Sequence, residues 1–590
     1  MATTDETYLD PARSVDDRVE DLLGRMTLEE KAGQLFHAMI TIGEGGALAG
    51  ADNMFGTPST DEYLNTLHLT HVNVLSVPDD PRQMARWHNL LQELAARTRL
   101  GIPVTIATDP RHAFTDNPAA ALLSGPFSQW PETLGLAATR DEALMEQHAD
   151  IARQEYLAVG LRTALHPQVD LATEPRWARA NGTFGEDADL TGRMGAAYVH
   201  GFQGTGKIVG GEFGPDSVST MTKHFPGGGP QKDGEDPHFA YGREQVYPGG
   251  RFDEHLAPFR KLLEAGTRQM MPYYGMPVGL EGIPEVGFGF NKPIIQGLVR
   301  DELGFDGIVC TDWGLVSDAE IFGAAFPARA WGVEDLSVQD RVAMILDAGV
   351  DQLGGESCPE VVVELVRQGR VSEERIDASV RRLLREKFVL GLFDERRYVD
   401  VEAAAAVVGK PSFVAAGLAA QAASITVLTN DGVLPLPAGR RIYGEGVDVS
   451  SYGTAVSDPA QADVAILRLK APWEQRSNGF EAFFHTGSLD FPADEVARIQ
   501  AICAQVPTIV EVYLDRPAIL TPFVDAAAAL VVDFGAADAP LLEALGTPGV
   551  ARGRLPFDLP RSMAAVEASR EDVPFDTADP LFRFGHGLSL

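Results

Sequence analysis

Cysteine is scarce in the 590-residue chain: Cys310, Cys358 and Cys503 are all there is, with no CxxC pair among them. That excludes a disulfide framework and a cysteine-ligated zinc centre. Basic charge is also in short supply, since 49 Lys and Arg against 84 Asp and Glu leave a formal net charge of −35. A surface of that sign repels phosphate backbones and anionic headgroups, so neither nucleic acid nor a membrane is an expected partner. No 18-residue apolar run stands out, and the acidic start MATTDETYLDPARSVDD lacks the cationic-then-apolar order of an export signal. A cytoplasmic location is the resulting expectation.

Two further absences concern the stretch MTKHFPGGGPQKDGEDPHF, residues 221–239. Its glycines lack the GxxxxGK[ST] pattern, and no Ser or Thr follows a lysine to hold magnesium, so it is no phosphate cradle. Asp233, Glu235, Asp236 and His238 match neither HExxH nor an EF-hand loop. No metal and no organic cofactor is therefore expected. What remains is a polar loop suited to a neutral, hydroxyl-rich ligand, with its glycines as a hinge.

The chain is too long for one core, and its patterning divides it. After a tail at 1–15, helical spacing begins in SVDDRVEDLLGRMTLEEKAGQLF, where Thr27 and Glu30 make a capping box. Short β-branched runs then alternate with helical stretches: HVNVLSV, IPVTIAT, RTALHPQVDLA, VSTMT, RQMMP, FDGIVCT and AGVDQLGG. That alternation predicts a (β/α)8-type barrel over 16–400. A linker is expected at 401–412. From 413 to 590, SITVLTN, RRIYGEGV, VAILRLK, TIVEVYL and ALVVDFG predict an α/β layer sandwich with a mostly parallel sheet.

Reactive side chains recur where the barrel strands end: Asp109, Arg179, Lys223, His224, Tyr273, Tyr274, Asp312 and Trp313. In a barrel those ends form the face on which active sites are built. Asp312, set after a buried strand and beside an indole, has the placing of a carboxylate nucleophile with a sugar platform; a helix N-cap is the alternative reading of the same spacing. Lys223 and His224 can donate to ligand hydroxyls or serve as a structural ion pair.

Several stretches together resemble glycoside hydrolase family 3, in its two-domain, β-glucosidase-type form. They are DRVEDLLGRMTLEEKAGQLF, VDLATEPRWARANGTFGED, TKHFPGGGP, HLAPFRKLLEAGTRQMMPYY, VRDELGFDGIVCTDW, ITVLTNDGVLPLP, GRLPFDLP and FRFGHGLSL, spread in order over residues 16–590. The resemblance implies an active site where barrel meets sandwich and retaining hydrolysis of a terminal β-linked sugar. It implies Asp312 as nucleophile and Trp313 as a sugar-contacting indole. It implies further that Asp109, Arg179, Lys223 and His224 grip sugar hydroxyls and that Tyr274 stands near the nucleophile.

A retaining glycosidase also needs an acid/base, with the two carboxyl groups about 5–5.5 Å apart. The resemblance places it on a glutamate of the second domain. Glu474 of APWEQ is the chosen candidate, because it follows a strand and adjoins Trp473; Glu481 is the second. A third is the Asp236–Pro237–His238 dyad, which echoes the β-N-acetylglucosaminidase branch. The expected activity is that of an exo-β-glucosidase acting on a carbohydrate or glycoside, with β-xylosidase, β-N-acetylhexosaminidase or a non-catalytic sugar-binding protein as alternatives. A homo-oligomer is compatible with the sequence.

Overall fold

A computed structural model of the chain describes residues 6–52, 56–115, 122–321, 323–476 and 479–590. One sheet of eight short strands runs through its first half: β1 (Phe36–Ile40), β2 (His71–Val74), β3 (Thr105–Thr108), β4 (Thr163–Ala164), β5 (Ser219–Phe225), β6 (Gln269–Pro272), β7 (Ile308–Val309) and β8 (Leu353–Gly354). All pair in parallel, in the order β8-β1-β2-β3-β4-β5-β6-β7. Cys310 then bridges in parallel to Gln352, and the Thr311 N–H donates to the Gln352 carbonyl at 2.9 Å. The two edges meet, and the sheet closes into the expected barrel. Closure buries the strands on both faces, so every residue of β2, β3, β5 and β6 is buried, the polar ones included.

Helices cover the barrel, and many begin on a side chain that accepts a backbone N–H: Ser14, Asp80, Asp141, Asp187, Ser337 and Ser372. Thr27 and Glu30 form the reciprocal capping box that their spacing predicts. The connection between β1 and β2 is irregular: among its described residues the helical parts are the short turn Glu44–Gly46 and the wide turn Glu62–Thr66.

The second sheet has six strands: β9 (Thr426–Asn430), β10 (Arg441–Glu445), β11 (Thr454–Val456), β12 (Val464–Lys470), β13 (Thr508–Tyr513) and β14 (Ala529–Asp533). Their order is β9-β14-β13-β12-β10-β11, and only β9 is antiparallel to its neighbour. Successive residues supply opposite cores, as strand geometry requires. Leu467, Val510 and Val532 pack on one face, and Ile466, Ile509 and Val531 on the other.

The two halves share packing. The barrel helix Thr133–Thr139 sends Leu134 and Ala138 into one sandwich core. The Asp572 carboxylate accepts the N–H groups of Gly249 and Arg251, both at 2.7 Å. Two expectations change here. The supposed linker at 401–412 is largely helical, with one helix at Val401–Val407 and another from Pro411 to Ser424. The first packs on barrel helices Pro81–Ala96 and Glu142–Val159, and the second bridges Thr133–Thr139 to Asp538–Gly546 of the sandwich. Together 401–424 are long and apolar enough to match a membrane span by composition, although Pro411 divides them. The tail is also engaged: Tyr8 is buried, and its carbonyl accepts from Arg18.

Candidate active site

The barrel brings Asp109, Arg179, Lys223, His224, Tyr274, Asp312 and Trp313 to the C-terminal ends of its strands. Asp109 directly follows β3, and its carboxylate meets the Lys223 ammonium at 3.0 Å and the Asn73 amide at 3.2 Å. Burial pushes the Asp109 carboxyl up, but Lys223, Asn73 and Arg179 more than offset it and hold the group below the usual range. Asn73 is the next-to-last residue of β2 and was missed from sequence, although the same strand-end logic applies to it.

Lys223 and His224 are consecutive in β5, yet both serve the same end of the barrel. Alternation along a strand would send them to opposite faces. The β5–β6 register shifts between Lys223 and Phe225 and leaves His224 without a paired residue. At this irregularity Lys223 reaches Asp109 while His224 Nε2 comes within 3.7 Å of Asp312 Oδ2.

His224 Nδ1 is held at 2.7 Å by Asp170, a buried carboxylate after β4 that the sequence reading passed over. Burial pushes Asp170 up to about 6, against the N–H groups of Gly228 and His224 and the charge of Arg179. Burial, reinforced by Arg179, drives His224 well below the ordinary histidine value, so the ring is neutral at pH 7.

Asp312 follows the β7 bridge and is buried. The Trp313 N–H donates to both Asp312 Oδ1 and the Tyr274 hydroxyl, each at 2.9 Å. Burial and the neighbouring Asp312 raise the Tyr274 hydroxyl well above its usual pKa, so it remains a donor. Trp313 lies against the Gly354–Gly355 backbone, where a Cβ would sit 2.6 and 2.7 Å from the indole. The paired glycines that close AGVDQLGG are thus the seat of the ring, with His37 at 5.4 Å on β1.

The glycines at 227–229 are not a hinge. A Cβ on Gly228 would lie 2.7 Å from the Tyr273 ring, and residues 225–231 are buried. They allow close approach of the loop to Tyr273 and Asp170. Farther along, Asp236 Oδ1 meets His238 Nδ1 at 2.6 Å, while Asp236 Oδ2 accepts from Trp177 at 3.0 Å and Tyr273 at 3.3 Å. Burial lowers His238 despite the raising effect of Asp236 and Asp312. Its ring lies 4.6 Å from that of Tyr274.

Glu474 stands apart from this cluster. It is exposed, bridges to Thr486 through the backbone, and accepts the Ser488 N–H at 3.3 Å. Trp473 beside it stacks on His485 at 4.1 Å. Glu481 accepts from the Tyr241 hydroxyl on the barrel rim.

Several buried polar atoms of the cluster have no hydrogen-bond partner among the described residues: Arg179 Nε and one terminal nitrogen, His224 Nε2, Asp312 Oδ2, Asn73 Oδ1 and Trp313 Nε1. Buried polar groups are nearly always paired, so a convergent set of orphans marks a place where a ligand supplies partners. Donors and acceptors interleaved in this way suit a polyhydroxylated molecule.

Comparison with known proteins agrees with this chemistry. Residues 27–386 match the glycosyl hydrolase family 3 N terminal domain. Beta-glucosidase C of Emericella nidulans is 52% identical, over 98% of this chain and 93% of its own length. A periplasmic beta-glucosidase/beta-xylosidase of Dickeya chrysanthemi is 41% identical, over 97% and 90%. Among solved structures, an exo-1,3/1,4-beta-glucanase of a Pseudoalteromonas species superposes with a TM-score of 0.76 at 21% identity, covering 98% of this chain and 95% of its own. A beta-glucosidase of Listeria innocua in complex with glucose gives 0.73 at 20% identity, covering 98% and 83%. With the family match covering most of the chain and the relatives nearly all of it, the chain belongs to glycosyl hydrolase family 3.

Proposed function

We propose that the chain is a retaining exo-β-glucosidase that releases terminal β-D-glucose from oligosaccharides or glucosylated aglycones. The convergent orphan atoms around Asp312 carry this reading, since they suit a hexose ring held over a carboxylate. Asp109, Lys223, Arg179 and His224 grip its hydroxyls, and Trp313 supplies an apolar surface. Asp312 attacks the anomeric carbon and forms a glycosyl ester as the leaving oxygen takes a proton; water then cleaves the ester. The names of the Emericella and Dickeya relatives support the sugar class.

For proton transfer, the first reading keeps Glu474, delivered from the sandwich. A second reading gives it to His238, oriented by Asp236. The contact of His238 with Tyr274, whose hydroxyl meets the Trp313 N–H, favours this second reading, because an acid must work beside the nucleophile.

Replacing Asp312 by Asn tests the nucleophile: hydrolysis of an aryl β-glucoside at near wild-type rate would overturn the assignment. Glu474→Ala, Glu481→Ala and His238→Ala separate the donors. The variant lacking the true acid loses activity on poor leaving groups, keeps it on 2,4-dinitrophenyl β-glucoside, and is rescued by azide. Parallel assays with aryl β-xyloside and β-N-acetylglucosaminide test the sugar. A cytoplasmic location belongs to the same proposal, and cell fractionation tests it.

A further inference from the structure

Beyond His238 the character of the cleft changes. Three separate segments converge there: the loop after β5 with Phe239 and Tyr241, the hairpin formed by Ala319–Ile321 and Ala324–Phe326, and the sandwich loop with Phe480 and Phe484. The rings meet edge to face: Phe239 and Phe484 at 5.1 Å, Phe326 and Phe480 at 5.4 Å, and Phe480 and Phe484 at 5.4 Å. His238 joins this cluster to the inner site, 4.9 Å from Phe484 on one side and 4.6 Å from Tyr274 on the other.

The contacts therefore run in one direction. They begin at Asp109 and Lys223, pass His224, Asp312, Tyr274 and His238, and end at the phenylalanines. With the sugar's hydroxyls gripped at the Asp109 end, the leaving group points toward the phenylalanines. Hydrogen-bonding capacity falls along the same line. The inner end holds the orphan donors and acceptors, whereas three polar groups of the rim are engaged. Tyr241 donates to Glu481, Arg476 makes two bonds of 2.6 Å to Glu235, and Arg329 binds the carbonyls of Trp313 and Pro327. Phe239, Phe326 and Phe480 remain only half-buried.

We propose that Phe239, Phe326, Phe480 and Phe484 form the aglycone wall of the site, and that this wall takes an apolar, aromatic aglycone in preference to a second sugar. The inference rests on the β-glucosidase reading for its direction. A second sugar brings hydroxyls that need partners, and Tyr241, Arg476 and Arg329 are already bonded within the protein; an aromatic ring needs only apolar area and edge-to-face neighbours.

Non-hydrolysable probes separate this proposal from the catalytic reading. Calorimetry on the wild type would compare phenyl 1-thio-β-glucoside, methyl 1-thio-β-glucoside and thiocellobiose. The phenyl probe is expected to bind about five-fold or more tightly than the methyl probe, the scale set by burying one ring. In Phe326→Ala and Phe480→Ala that gap closes to less than about two-fold, while methyl thioglucoside affinity, which reports the inner site and a folded protein, is unchanged. An equal affinity for phenyl and methyl probes in the wild type, a gap that survives both substitutions, or tighter binding of thiocellobiose than of the phenyl probe would each overturn the proposal. Hydrolysis of 4-nitrophenyl β-glucoside by the same preparations tests the β-glucosidase reading independently.

Discussion

His224 Nε2 lies 3.7 Å from Asp312 Oδ2, and neither atom has a hydrogen-bond partner among the described residues. The separation is too long for a good bond, and each atom remains able to meet a ligand hydroxyl. His224→Ala is expected to lower kcat/KM for an aryl β-glucoside by roughly 10²-fold, the scale of losing hydrogen bonds to a buried charged site. Steady-state kinetics check this, and an unchanged kcat/KM would mean the ring serves packing alone.

Lys223 and Asp109 pair at 3.0 Å where the sugar's distal hydroxyls are proposed to lie. Lys223→Ala leaves Asp109 with an excess of negative charge, and a loss of about 1–3 kcal/mol in substrate binding follows. KM rises more than kcat falls. Glucose inhibition constants, measured alongside, should weaken in parallel.

Glu186 accepts the N–H groups of Asp558 and Phe575 at 2.6 and 2.7 Å, fastening the barrel to the C-terminal segment. Burial pushes its carboxyl up to about 8, above the ordinary 4.5. The folded protein therefore holds this proton more tightly than the unfolded chain. Its stabilising effect is complete below pH 4.5 and is lost as the pH rises to about 8. Glu186→Gln stays neutral throughout, so its Tm is expected to fall less than the wild type's across that window. Thermal melts at a series of pH values would show it, and parallel curves for the two proteins would refute it.

Arg476 and Glu235 join the sandwich loop to the barrel through two bonds of 2.6 Å, with both side chains about three-quarters covered. Arg476→Ala and Glu235→Gln are each expected to raise KM for an aryl β-glucoside several-fold, with the double variant little worse than either. Such non-additivity, about 1 kcal/mol of coupling in a double-mutant cycle, identifies one shared contact. Additive losses would place the two residues in separate roles.

The alternation of strands and helices, the capping box at Thr27 and Glu30, and the reactive side chains at strand ends could be read from the sequence. Each depends on local propensity or on the period of apolar residues, which neighbouring residues determine. Asp109 and Asp312 belong to that class, because position after a strand suffices to place them on one barrel face. Tertiary structure decided the rest. The irregularity in β5 at which adjacent Lys223 and His224 share a site is visible only in the strand's pairing with β6, and the seat of Trp313 on Gly354–Gly355 requires barrel closure. The glycines at 227–229 look like a flexible loop until Tyr273 and Asp170 are packed against them. Residues 401–412 look like a linker until both domains offer surfaces on which helices can pack. Glu474 follows a strand as Asp312 does, but its strand belongs to another sheet. Where its carboxylate lies depends on how two domains dock, and no local spacing encodes that.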